Sequence, residues 1–161
     1  MALNRLSNEQ WGFSSNCFVC EPNNQVGLRQ AFFHDTDASL VVAELLLGAE
    51  HSGAPAYVHG GVQLALLDEA MAWAAIAITE QFAVTASFGS TFHHPLRIGK
   101  QYRLEAAIGE TTESTLQASA RIVDDQDRVR TSATATLVVL SAAQATDAGA
   151  MIDESTKRWT R

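Results

Sequence analysis

The sequence predicts an α+β fold in which one twisted antiparallel sheet of about six strands wraps a single long central helix. Three observations carry this. The stretch from Gly60 to Thr79 holds Ala, Leu, Ile, Met, Trp and Val with no Pro and no Gly after Gly61, and Ala and Leu are the best apolar helix formers. At 1.5 Å per residue such a helix is roughly 30 Å long, enough to cross a small domain. After Thr79 the pattern changes to short alternating runs punctuated by turn residues, the mark of a meander. Before the helix, two further strand-like runs flank Asp35-Thr36-Asp37. Four strands after the helix and two before it are satisfied by one sheet covering one helix.

In chain order, residues 1–27 carry Trp11, Phe13 and Phe18 among polar residues with no sustained period. They predict a short helical piece and a loop that packs its aromatics on the body. The domain proper is expected over residues 28–141. Ala31-Phe32-Phe33 and the run from Ser39 to Leu47 form a hairpin, and Gly48, Gly53 and Pro55 mark the loop that delivers the chain to the helix. Ala83 to His93 is a strand ended by Pro95 and Gly99, and Gln101 to Gly109 is the next. In Ser114 to Val123, Leu116, Ala118, Ala120 and Ile122 alternate with polar neighbours, as in a half-buried strand. Asp124 to Asp127 is a hairpin loop, after which Ala133, Ala135, Leu137 and Val139 take the inward face. Residues 142–161 lose the period and form a tail with at most a short helix.

Bulk properties narrow the function. A chain of 161 residues suits one domain with a real core. A formal net charge of −7 opposes nonspecific nucleic-acid binding, which runs on Lys and Arg. An anionic ligand would need a local basic patch. Met1 to Gln10 has no apolar core of signal-peptide length, so a cytoplasmic location is expected. The long helix has the length of a membrane span. Two adjacent acids near its centre would add about 5–7 kcal/mol of insertion cost, so no membrane span is expected. Cys17 and Cys20 form a lone C-x-x-C. A structural zinc site usually needs four ligands, and nothing in the spacing demands His34 as a third. Structural thiols are the favoured reading, with metal ligation and a redox pair as alternatives. No metal and no cofactor is expected.

The functional clue is inside the helix. Asp68 and Glu69 are the only charges between Gly60 and Thr79, and a carboxylate in an apolar helix costs several kcal/mol unless paired, hydrated or used. The helix is apolar on nearly all sides, so a second layer must cover what the sheet does not. That layer is the N-terminal segment or another subunit. Glu69 points about 100° away from Asp68 and is the better candidate for a structural partner. At the helix start, the first amides have no internal partners and carry the positive end of the macrodipole. Gly60 and Gly61 let a carbonyl approach those amides closely, or simply make a tight turn. Amides aimed at a developing oxyanion are worth about 3–4 kcal/mol each.

His59-Gly60-Gly61, with Asp68 nine residues after the His, resembles the signature of hotdog-fold acyl-CoA thioesterases of the phenylacetyl-CoA thioesterase (PaaI-like) type. Phe92-x-x-Pro95-Leu96-x-x-Gly99 resembles their strand end and turn. Cys17-Phe18-Val19-Cys20 with Gly27-Leu28 is similar to an N-terminal Cys-x-x-Cys subset, in which a Gly often follows the second Cys; Glu21 stands here. The resemblance implies hydrolysis of a fatty or aryl acyl-CoA to free acid and CoA. It implies an Asp68 that is nucleophile or general base, and helix amides at Gly60 and Gly61 as oxyanion hole. Ten positions before Pro95 lies Thr85, where related enzymes can place an orienting hydroxyl; β propensity alone also accounts for a Thr there. His59 holds the turn in preference to shuttling protons. Arg97, Lys100 and Arg103 are candidates for coenzyme A phosphates, and His51 for the entry loop, although a solvated position is the favoured reading for all four.

A distance argument gives the assembly. Gly60 and Asp68 lie eight residues, about 12 Å, apart along one helix, whereas reacting groups must converge within about 3–3.5 Å. The amide is expected from one subunit and the carboxylate from its two-fold mate, in a homodimer or homotetramer. Competing readings are a noncatalytic acyl-binding hotdog module and a hotdog dehydratase or hydratase. The second pairs a loop His with a helical Glu, or an Asp with a His five residues on. Ala54 occupies the position five before His59, which disfavours it.

Overall fold

The computed structural model of the protein describes residues 2–12 and 14–149. Strands β1 (Leu3–Leu6), β2 (Phe32–Asp35) and β3 (Leu40–Leu46) precede helix α1 (Gly60–Thr79). Strands β4 (Ala83–Phe92), β5 (Gln101–Thr111), β6 (Thr115–Val123) and β7 (Val129–Val139) follow it. All pair antiparallel in one sheet of order β1-β2-β3-β5-β6-β7-β4. A short helix α2 (Ala142–Asp147) opens the tail, and residues 150–161 of the expected tail lie outside the described residues, as does Phe13.

The sheet has one strand more than the six expected. Residues 1–27 contribute β1, pairing Leu3 to Asp35 and Leu6 to Phe32, where a helical piece was expected. Four residues with only Leu6 buried are too short to show a strand period. The hairpin expected around residues 35–37 forms, and the Asp35 carboxylate accepts from the amides of Asp37 and Ala38 to fix its turn.

The core is the layer between α1 and the sheet. Leu66, Leu67 and Met71 of the helix are fully buried with Val41, Leu45, Leu104, Leu116, Ile122 and Leu137 of the strands. Alternation along β5, β6 and β7 sends Leu104 and Ala106, Ala118 and Ala120, and Ala133 and Ala135 inward. Ala106, Ala120 and Ala133 fall in one register row, a strip of small side chains against which a helix can pack closely. By length and composition α1 could cross a membrane, yet half of it is buried in the fold. It ends where Glu80 takes a left-handed conformation, φ 57°, and returns its amide to Ile76.

The two flanks of α1 left by the sheet are treated differently. The loop around Cys17 packs on the flank that carries Glu69. The flank that carries Leu64, Ala65 and Asp68 stays open and borders β4. Strand β4 is the far edge of the sheet, with Val84, Thr85 and Phe92 exposed.

Candidate functional site

The start of α1 is built by His59. It is the N-cap, and its Nδ1 accepts the Gly61 amide at 2.9 Å. The His59 carbonyl accepts the amides of Val62 and Gln63. The Gly60 amide has no acceptor among the described residues. The two glycines therefore play different parts: Gly61 is engaged by the cap, and Gly60 presents the amide. A Cβ on Gly61 would stand 3.1 Å from His59 Nδ1, and one on Gly60 would meet the Phe92 ring at 3.3 Å. His59 serves the turn, as its sequence position suggests.

Two turns further along, Asp68 faces the open flank. Thr85 of β4 donates its hydroxyl to Asp68 Oδ1 at 2.6 Å. The register of β4 against β7 slips beside Thr85, so that Ala86 is an extra residue, and such bulges re-aim side chains. Asp68 and Thr85 line a cleft of about 360 Å³ with Leu64, Ala65 and Phe88. The pocket is mainly apolar, with one carboxylate and one hydroxyl, which suits an acyl chain beside a reacting centre.

The remaining expected residues divide. Arg97 bridges Tyr57 backbone to backbone and lays its guanidinium 5.3 Å from the Tyr57 ring centroid. Val58 and Leu96 share the next backbone bond, so exposed Arg97 sits near the helix start. Lys100 is exposed in the turn after Gly99, whose φ is +72°. Arg103 is committed elsewhere, to Glu105 and Asp127 at 2.8 Å each. His51 lies in a short 3-10 turn, accepts the Gly48 amide on Nδ1, and holds the His59 amide through its carbonyl; its ring supports the loop.

The thioesterase superfamily model matches residues 56–131, the span from the loop before His59 to the start of β7. Among solved structures, a thioesterase superfamily protein superposes with a TM-score of 0.67 at 22% identity. The match covers 73% of this chain and 57% of that one, so the chain spans little more than half of that protein. The fold is the hotdog. The Escherichia coli PaaI protein from the phenylacetic acid degradation operon matches at TM-score 0.60 and 19% identity, over 64% of this chain and 74% of that one. A hypothetical thioesterase from Streptococcus pneumoniae, solved with coenzyme A, matches at TM-score 0.60 and 17% identity, over 63% and 78%. None of the curated proteins compared matches the chain. The PaaI-like resemblance read from His59-Gly60-Gly61 and Asp68 thus agrees with the matched family model and with the fold.

Two features of this hotdog escape sequence reasoning. Gln63, 3% exposed, donates to the Val58 carbonyl at 3.2 Å and accepts from Thr131 Oγ1 at 2.6 Å. It ties the helix start to the loop before it and to β7, and only its polarity in an apolar run signals this. The second is a cluster on the flank away from Asp68. Glu69 Oε1 lies 3.2 Å from Cys17 Sγ, and Cys20 completes a group whose donor atoms are all within 4.8 Å. His34, in β2, is not part of it. Burial, with Cys17 beside it, pushes Glu69 up to about 8. The hydrogen bond between the thiols drives them apart, Cys17 down to about 5 and Cys20 far upward. The amides of Val19 and Cys20 also donate to Cys17 Sγ, at 3.3 and 3.5 Å.

Proposed function

We propose that the protein is an acyl-CoA thioesterase that hydrolyses a fatty or aryl acyl-CoA to the free acid and CoA, as a homodimer or homotetramer with sites shared between subunits. The observation that carries this is Asp68, fixed by Thr85 at an apolar cleft, on the same helix whose start presents the Gly60 amide. The thioester carbonyl oxygen accepts from the Gly60 amide, which stabilises the oxyanion as the carbonyl carbon becomes tetrahedral. Asp68 either attacks that carbon or takes the proton of an attacking water. The C–S bond then breaks and the CoA thiolate leaves. Where water attacked, the free acid is formed and the proton held by Asp68 passes to the thiolate; where Asp68 attacked, water hydrolyses the mixed anhydride, which releases the acid, restores the carboxylate and supplies the proton. Thr85 holds one carboxylate oxygen and leaves the other free to act. Arg97, exposed near the helix start, and Lys100, exposed in the turn that follows, would meet the CoA phosphates.

Strand β4 supports the assembly. Its ten residues, Ala83 to Phe92, include no charge and no Pro. A long edge strand without charge or Pro leaves its outer backbone groups free to pair. Two-fold pairing of β4 with its copy would continue the sheet and bring the open Asp68 flank of one chain toward the partner.

The test is free-thiol release across short, medium, long and aryl acyl-CoAs. Turnover supports the enzyme; binding of acyl-CoA without release means an acyl-binding module instead. Asp68→Asn should lower turnover at least about 10²-fold while circular dichroism stays unchanged. Retention of more than about a tenth of wild-type rate removes Asp68 from the mechanism.

A further inference from the structure

We infer that Cys17, Cys20 and Glu69 bind one divalent transition-metal ion, zinc by the chemistry of the donors. Two sulfurs and one carboxylate oxygen already lie within 4.8 Å of one another. Zinc is held at about 2.3 Å by sulfur and about 2.0–2.2 Å by oxygen, so a small contraction completes the set. Thiolates with a carboxylate favour zinc over calcium or magnesium, which take oxygen ligands. The amides of Val19 and Cys20 donating to Cys17 Sγ are the outer-shell bonds that a metal-bound thiolate receives.

Charge gives the second reason. Glu69 sits in the middle of an apolar helix with its carboxylate against the Cys17 and Cys20 thiols; among the described residues it forms no ion pair with Lys, Arg or His. Three donor side chains gathered at one place with no Lys, Arg or His beside them leave room for a cation to bind between them. A Cys17–Cys20 disulfide would not take that cation's place, because it would remove the S–H and leave Glu69 with less than it has. The ligands make three, and the fourth position has somewhere to go. A pocket of about 240 Å³ is lined by Cys17, Glu69, Asn8, Ser14, Ser15 and Trp73, among others. The Trp73 indole N–H is buried and has no partner among the described residues. A metal-bound water in that pocket would complete a tetrahedron among polar neighbours.

The ion would act as a clip. It would join the loop at 17–20 to α1 across 52 positions of sequence, at the residue next to Asp68. Its binding is independent of the proposed thioesterase reaction, and its test needs no turnover.

Reduced, chelator-treated protein is titrated with zinc against a chromophoric chelator, and separately with cobalt(II). The expected results are one zinc per chain, a thiolate-to-cobalt charge-transfer band in the near ultraviolet, and a higher melting temperature with zinc. Cys17→Ser and Cys20→Ser should each weaken zinc binding by more than about 100-fold, beyond the loss of an outer-shell partner. Glu69→Gln should weaken it about tenfold or more. Wild-type protein that gives no thiolate–cobalt band, or zinc affinity unchanged in the cysteine variants, overturns the site. So does ready loss of two hydrogens to a disulfide in air with no zinc taken up. The wild-type cobalt spectrum decides the matter even if a variant fails to fold.

Discussion

At the scale of single residues, the site is a matter of one hydroxyl and one carboxylate. Thr85 is exposed, so its β propensity could be met by many residues, yet its Oγ1 stands 2.6 Å from Asp68 Oδ1. A hydrogen bond to a charged group contributes about 1.5–3 kcal/mol. If that bond orients Asp68 for attack, Thr85→Val should slow turnover by about 10–100-fold, with folding unaffected because the side chain is solvent-facing. The measurement is kcat on the best acyl-CoA, and Thr85→Ser should restore most of the loss. Asp68 and Gly60 are legible in the sequence because both lie in one continuous helix, where spacing fixes geometry. Glu69 is not, because its partner Cys17 sits in a loop with no period. The role of Gln63 depends on Thr131 in the last strand, a contact that local pattern does not carry.

At the scale of elements, the meander β5-β6-β7 was readable because each strand alternates for nine residues or more. The edge strand β1 was not, because four residues do not establish a period. On the solvent face of β5, Glu105 accepts from Arg103 at 2.8 Å and from Arg121 at 2.8 Å. Burial pushes its carboxyl up, but the two guanidinium groups outweigh burial and hold it below the usual carboxylate value. A lowered folded value means a contribution to stability that is complete above the ordinary carboxylate range. It is lost as pH falls through the lowered value. Glu105→Gln should therefore be less stable than wild type at neutral pH, and the gap should close in acid. Urea midpoints for both proteins at neutral and acid pH measure it; a gap that stays constant with pH refutes the ion-pair account.

At the scale of the whole molecule, one chain leaves its own site open. The Asp68 flank borders an uncharged edge strand, and the Gly60 amide lies about 12 Å from Asp68 along the helix. If the amide of one chain serves the carboxylate of its mate, two broken chains should repair each other. Asp68→Asn keeps a good amide end. Gly60→Val keeps the acid; its side chain would press on the Phe92 ring, which can yield, and circular dichroism checks that the helix start survives. Each homodimer lacks one part at every site and should be nearly inactive. In a mixed dimer, one site pairs the blocked amide with the carboxamide and is doubly broken. The other pairs an intact Gly60 with an intact Asp68. With equal amounts and free exchange, about half the dimers are mixed and each has one good site, so activity should recover to roughly one quarter of wild type by two-fold symmetry. No recovery, with exchange verified by differently tagged chains, would mean that each site is completed within a single subunit.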